Sequence, residues 1–158
     1  MQVIELLNEL LRFKSITPND DGALNYIAMF MDEFETYNVE ENGVKNLILT
    51  KRFGDGVHLC FGGHIDVVPP GDGWDSDAFS PRISDGYIYA RGAQDMKSGL
   101  AAMLMAAKLS AQNTNFNGTL SLVITSDEEG DGLYGTKSAL NFMAKNGFLP
   151  QFGLIGEP

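Results

Sequence analysis

The run Leu120-Ser121-Leu122-Val123-Ile124 is apolar at almost every position, which suits a strand covered on both faces. Such a strand restricts the chain to layered architectures in which helices flank a sheet. The run ends in Thr125-Ser126-Asp127-Glu128-Glu129-Gly130, which sets two glutamates side by side just past the strand. Adjacent carboxylates can divide labour, one holding a divalent cation while the other takes a proton from water that the cation has acidified. An acidic pair alone is more simply a solvated loop, so its meaning depends on what lies at the ends of neighbouring strands.

Ile4, Leu7, Leu10 and Leu11 recur at helical spacing, and the pattern stops before Thr17-Pro18, predicting a helix over about 2–13. Leu24, Ile27, Ala28, Met31 and Phe34 repeat that spacing behind the candidate caps Asn19, Asp20 and Asp21, predicting a second helix. Residues 46–51 read as a strand. After the turn Phe53-Gly54-Asp55-Gly56 comes another, Val57-His58-Leu59-Cys60-Phe61, stopping abruptly at Gly62-Gly63-His64. Residues 67–85 are rich in Pro, Gly, Asp and Ser and too long for a passive connection; Trp74 and Phe79 are expected to pin them. A short strand over 86–90 then leads through Arg91-Gly92-Ala93-Gln94-Asp95 into a helix over 96–111, with Met103 and Met105 on a buried face. The apolar strand through Leu120–Ile124 starts at Gly118, a helix covers 136–145 with Gly147 as its stop, and a last strand over 152–155 ends in Gly156-Glu157-Pro158. The acidic residues Asp32, Glu33, Glu35, Glu40 and Glu41 read as a solvated helix end. Alternating strands and helices indicate the α/β class, a mostly parallel sheet with helices on both faces.

At 158 residues, 44% hydrophobic and 20% charged, the chain suits one core-bearing domain. A net charge of −10 without a basic cluster argues against a nucleic-acid partner. No apolar stretch has the length of a membrane span and no basic-then-apolar leader is present, so no membrane partner and a cytoplasmic location are expected. Cys60, the single cysteine, lies in an apolar run and reads as a small core residue. No glycine-rich phosphate loop of either common spacing follows a strand, which disfavours a nucleotide-binding domain.

Chemistry-bearing residues gather at one edge. His64 and Asp66, Asp95, Glu128 and Glu129, and Glu157 each follow a predicted strand or open a helix, and in open α/β sheets that edge is where ligands bind. Imidazole and carboxylate are ligand types suited to zinc. A histidine ligand needs its second ring nitrogen held by an acceptor, and Asp66, two residues on along an extended segment, is of the right type. His58 lies mid-strand without a matching carboxylate and is read as structural.

The motifs Gly63-His64-Ile65-Asp66-Val67-Val68-Pro69, Gly73-Trp74 through Phe79-Ser80-Pro81, Arg91 through Gly99, Ser126-Asp127-Glu128-Glu129-Gly130 and Gly156-Glu157-Pro158 occur in order along the chain. Together they resemble the N-terminal part of the di-zinc aminoacylase and carboxypeptidase family. That resemblance implies a zinc-peptidase-like catalytic domain in which His64 and Glu157 bind one zinc, Glu129 binds the other and Asp95 bridges them. It further implies Glu128 as general base, Asp66 as the residue that orients His64, and a cis peptide bond at Asp95-Met96. Two Zn2+ per complete site are implied, with Co2+ able to substitute. Glu157, where some branches carry aspartate, resembles the desuccinylases, aminoacylases and glutamate carboxypeptidases, and the Arg-Gly-Ala-x-Asp-Met-Lys stretch is most similar to the desuccinylase branch, although Gln94 and Ser98 depart slightly from its commonest form. The implied substrate is a small N-succinyl amino acid, cleaved at its amide; another N-acyl amino-acid hydrolase and a non-catalytic metal-binding domain are the alternatives.

Members of that family run to more than twice this length. Residues 1–158 are therefore expected to be the N-terminal part of the catalytic domain, without the domain through which the parent would form a homodimer and without the C-terminal part. The histidine expected at the second zinc has no match here, so a fragment with one well-held metal and little activity of its own is expected.

Overall fold

The computed structural model describes residues 1–112 and 115–158. Its elements are α1 (Val3–Leu10), α2 (Ala23–Phe30), β1 (Glu35–Glu41), β2 (Val44–Arg52), β3 (His58–His64), β4 (Arg82–Ser84), β5 (Tyr87–Tyr89), α3 (Ser98–Ala111), β6 (Thr119–Thr125), α4 (Thr136–Lys145) and β7 (Phe152–Ile155). A kinked turn, Ala93–Lys97, in which Asp95 and Met96 have non-helical backbone angles, leads into α3.

Five strands form the main sheet in the order β1-β2-β6-β3-β7. The β6-β3 and β3-β7 pairings are parallel, whereas β2 is antiparallel to both β1 and β6. Four of the five strands thus run one way and only β2 is reversed, a mixed sheet whose parallel half carries the site. Alternation along each strand sorts residues between two layers. Leu47, Leu49, Leu120, Leu122 and Ile124 pack with Leu6, Leu10, Ile27, Met31, Leu100 and Leu104 beneath α1, α2 and α3. Ile48, Cys60 and Val123 pack on the other face with Ala139 and Met143 of α4. Cys60 is a core residue, and burial pushes its thiol up to about 11.

The α4 and β7 bounds coincide with the sequence expectation, while the others differ: α1 closes at Leu10, α3 opens at Ser98 after the kink, and β2 is longer at both ends, running from Val44 to Arg52. Residues 35–41 are not a helix end: α2 stops at Phe30, and Glu35, Glu40 and Glu41 lie on edge strand β1, whose exposed side tolerates charge. A two-residue turn, Asn42-Gly43, with φ of 52° and 80°, folds β1 onto β2, the conformation that asparagine and glycine favour in tight hairpins. Asp85 and Gly86 turn β4 into β5 in the same way, so the long loop contains a small hairpin that the composition of 67–85 concealed. Trp74 is exposed and hydrogen-bonds within that loop, donating from Nε1 to the Pro70 carbonyl at 2.9 Å, and it is Arg91 Nη2, donating to the same carbonyl at 2.8 Å, that ties the loop down. β3 does not stop at Gly62; it runs through both glycines to His64. A Cβ on Gly63 would meet Met96 Cε at 2.7 Å and Met103 Cε at 3.2 Å, so the missing side chain lets α3 and the turn before it approach the strand.

Candidate metal centre

The site grows out of the parallel half of the sheet. His64 is the last residue of β3 and pairs with Thr125, the last residue of β6. The Ile65 amide donates to the Thr125 carbonyl at 2.9 Å, which keeps the two strand exits side by side as one leads to Asp66 and the other to Glu128 and Glu129. On the other flank β7 pairs with β3, and the Gly156 amide donates to the Gly62 carbonyl at 3.3 Å, bringing Glu157 to the same edge. Asp95 arrives from the turn before α3, and the Asp95-Met96 peptide is cis.

The six residues singled out in the sequence meet around the His64 imidazole. Its Nε2 lies 3.2 Å from Asp95 Oδ1, 3.5 Å from Glu157 Oε1 and 3.8 Å from Glu128 Oε2. One ligand atom each from His64, Asp95 and Glu129 lie within 4.8 Å of one another, the only such group among the described residues. His58 stands apart, its Nε2 2.7 Å from Ser121 Oγ within the sheet. A cavity of about 410 Å³ opens beside Asp95 and Glu129, lined also by Val68, Ala90 and Arg91.

Asp66 is fully buried and serves the site through two different groups. Its backbone carbonyl accepts from His64 Nδ1 at 2.8 Å, which fixes the proton on that nitrogen and turns Nε2 toward the carboxylates. The carboxylate is farther from the ring, 3.5 Å from Nδ1, and its Oδ2 instead accepts the amides of Glu128 and Glu129 at 3.1 and 3.0 Å. Asp66 therefore clamps the acid pair as well as facing the histidine. Burial would raise its carboxyl, but the imidazole of His64 and the amide of Glu129 outweigh that and hold it low.

Charge crowding marks the site as built for a cation. Burial would lower the His64 imidazolium, yet its hydrogen bonds to Asp66 and the charges of Asp66 and Glu157 overcome this and raise it to about 9. The Glu129 carboxyl is raised by burial and by the charge of Asp95. Burial also raises Glu157, with the charge of Asp95 adding to it against the pull of His64. Carboxylates held this close to one another gain when a divalent ion replaces the histidine proton. The donor set of one imidazole and several carboxylates fits such an ion.

The model of peptidase family M20/M25/M40 matches residues 60–158. The chain belongs to that family. A curated relative from Nautilia profundicola, named succinyl-diaminopimelate desuccinylase, is 54% identical over the whole chain, which spans 42% of that relative's length. One from Nitratiruptor with the same name is 53% identical, again over the whole chain and 43% of its own length. Among solved structures, an M20 family metallo-carboxypeptidase from Sulfolobus solfataricus superposes with a TM-score of 0.83 at 23% identity, over 99% of this chain and 37% of that one, a likeness of fold. Aminopeptidase PepT from Bacillus cereus superposes with a TM-score of 0.74 at 28% identity, over 97% of this chain and 42% of that one.

Two supports of the site in this M20/M25/M40 chain escaped the sequence reading. Met96, fully buried, takes the His64 amide on its sulfur at 3.2 Å, a contact that no residue pattern announces. Gly99 and Gly156 let α3 touch the backbone after β7: a Cβ on Gly99 would strike the Gly156 carbonyl oxygen. The signal for the second was present, since a glycine in the first turn of an otherwise alanine-rich helix asks for a packing reason.

Proposed function

We propose that this chain forms the N-terminal part of the catalytic domain of a longer zinc-dependent amide hydrolase. Its substrate would be N-succinyl-LL-2,6-diaminopimelate, cleaved to succinate and the diamino acid. The observation that carries the reading is the name shared by relatives at 50–54% identity across the chain, on a fold whose strand ends bring imidazole and carboxylates together. In this reading His64 and Glu157 would hold one zinc, Glu129 would hold the other and Asp95 would be shared between them. Bound zinc would polarise the amide carbonyl and acidify a water molecule.

The rest is the work of the chain's own residues. Glu128 has the reach of a general base: its carboxylate is half-exposed, 3.8 Å from His64 Nε2, and its backbone is fixed by Asp66. It would take a proton from the attacking water and return it to the leaving amine. Asp66 keeps His64 in the tautomer whose Nε2 faces the carboxylates and holds the acid pair at its own position. The cavity beside Asp95 and Glu129 offers space for the acyl group next to the reacting centre. A cytoplasmic homodimer, joined through a domain outside these residues, belongs to the same reading.

The test is hydrolysis by the longer protein of N-succinyl-LL-2,6-diaminopimelate, its N-acetyl counterpart and a dipeptide. Preference for the succinyl substrate, lost in Glu128→Gln with metal content retained, supports the proposal. Preference for the acetyl or peptide substrate would assign another acylase or peptidase activity, and no hydrolysis of any of the three would favour a non-catalytic metal-binding domain.

A further inference from the structure

Lys97 is fully buried, and its place explains more than packing. Its Nζ donates to the Leu10 carbonyl at 3.1 Å, the Phe13 carbonyl at 2.8 Å and Ser15 Oγ at 2.9 Å, so all three ammonium hydrogens are engaged. The first carbonyl belongs to the last residue of α1, where unpaired carbonyls and the helix dipole both attract a cation. The lysine stem runs beside Gly92, where a Cβ would meet Val67 Cγ1 at 2.6 Å first and lie 3.3 Å from Lys97 Cδ and Cε. A buried ammonium costs several kcal/mol unless fully paired, and methionine would fill the same volume without that cost. A lysine here points to a task that needs its hydrogen bonds.

That task is visible in what Ser15 does next. Ser15 Oγ, which accepts from Lys97, donates to the Ile65 carbonyl at 2.8 Å. The backbone repeats the link, with the Val67 amide donating to Ser15 and the Thr17 amide donating to Val67, at 2.9 and 3.0 Å. Ile65 sits between His64 and Asp66, and Lys97 sits two residues after Asp95. The relay Lys97–Ser15–Ile65 therefore joins the segment carrying Asp95 to the segment carrying His64, through the exit of α1.

We infer that Lys97 is a positioning residue, which through Ser15 sets the separation of His64 and Asp95 and thereby the affinity of the site for a divalent cation. The inference rests on the reading of His64 and Asp95 as metal ligands. Residues that hold metal ligands in place typically change metal affinity about 10–100-fold when removed.

The test uses cobalt(II) titration of the full chain, followed by its visible absorption, with melting temperature measured in parallel. Ser15→Ala, which leaves Lys97 its two carbonyl acceptors, is expected to weaken cobalt binding by about tenfold or more and to alter the cobalt absorption bands. Lys97→Met should do the same, and the double variant should lose no more than the worse single one, because both break one relay. If Lys97→Met fails to fold, Ser15→Ala alone decides. Unchanged cobalt affinity and bands in Ser15→Ala would overturn the proposal, whatever happens to the melting temperature. Failure of the unaltered chain to bind cobalt would instead overturn the metal reading, and the proposal with it.

Discussion

At the scale of single residues, His64 gives the sharpest expectation. Without metal its imidazolium is held to about 9 against an ordinary 6.5, so at pH 7 a cation must displace a proton from Nε2. Titration calorimetry with zinc in buffers of different ionisation enthalpy should show about one proton released at pH 7, falling away above pH 9. The sign for stability is the reverse: a raised histidine stabilises the metal-free fold fully below pH 6.5, and that contribution is lost as pH rises through about 9. Melts in the presence of chelator should accordingly drop across that window. Glu128→Gln should lower turnover by the longer protein about 10²–10⁴-fold with zinc content unchanged; loss of zinc instead would make Glu128 a ligand. Cys60 should resist alkylation at pH 8 until the chain unfolds, because its thiol is buried and raised to about 11. The polar members of the site were legible in the sequence because their residue types follow strands. The Asp66 carbonyl contact and the Met96 sulfur were not, since they depend on backbone path rather than residue type.

Among the elements, the buried strands and α4 could be read from periodicity, and what was missed had a different code. Both hairpins turn on dipeptides, Asn42-Gly43 and Asp85-Gly86, which are strong local signals for a tight turn. The charge of Glu40 and Glu41 outweighed the first, and the loop-like composition around Ser80 and Pro81 hid the second. Gly43→Ala should therefore destabilise the chain by about 1 kcal/mol in urea unfolding, through the positive φ that alanine disfavours; an unchanged midpoint would show that the turn does not depend on glycine at that position. Gly99→Ala tests the contact of α3 with the segment after β7. It should cost about 1–3 kcal/mol and weaken metal binding, because Gly156, against which the new Cβ would press, adjoins Glu157.

For the whole molecule, the sheet order explains why four distant parts of the chain make one site. β3 is flanked by two parallel partners, β6 and β7, so the residues after all three strands leave at one edge, and the turn into α3 meets them there. Strand direction could be inferred from alternation with helices, but the reversal of β2 is written only in the Asn42-Gly43 turn, since a two-residue loop joins antiparallel strands. β7 is an edge strand with Phe152, Leu154 and Ile155 exposed, and edges of that kind recruit other strands. Sedimentation of the 158-residue chain should therefore show self-association that Leu154→Lys suppresses. The central claim, that His64, Asp95, Glu129 and Glu157 form a cation site, is tested most directly by anomalous diffraction at the zinc edge from crystals of the chain grown with zinc. A peak within bonding distance of His64 Nε2 and the Asp95 carboxylate is the predicted result. Full zinc occupancy elsewhere on the molecule, with no peak between those residues, would contradict it.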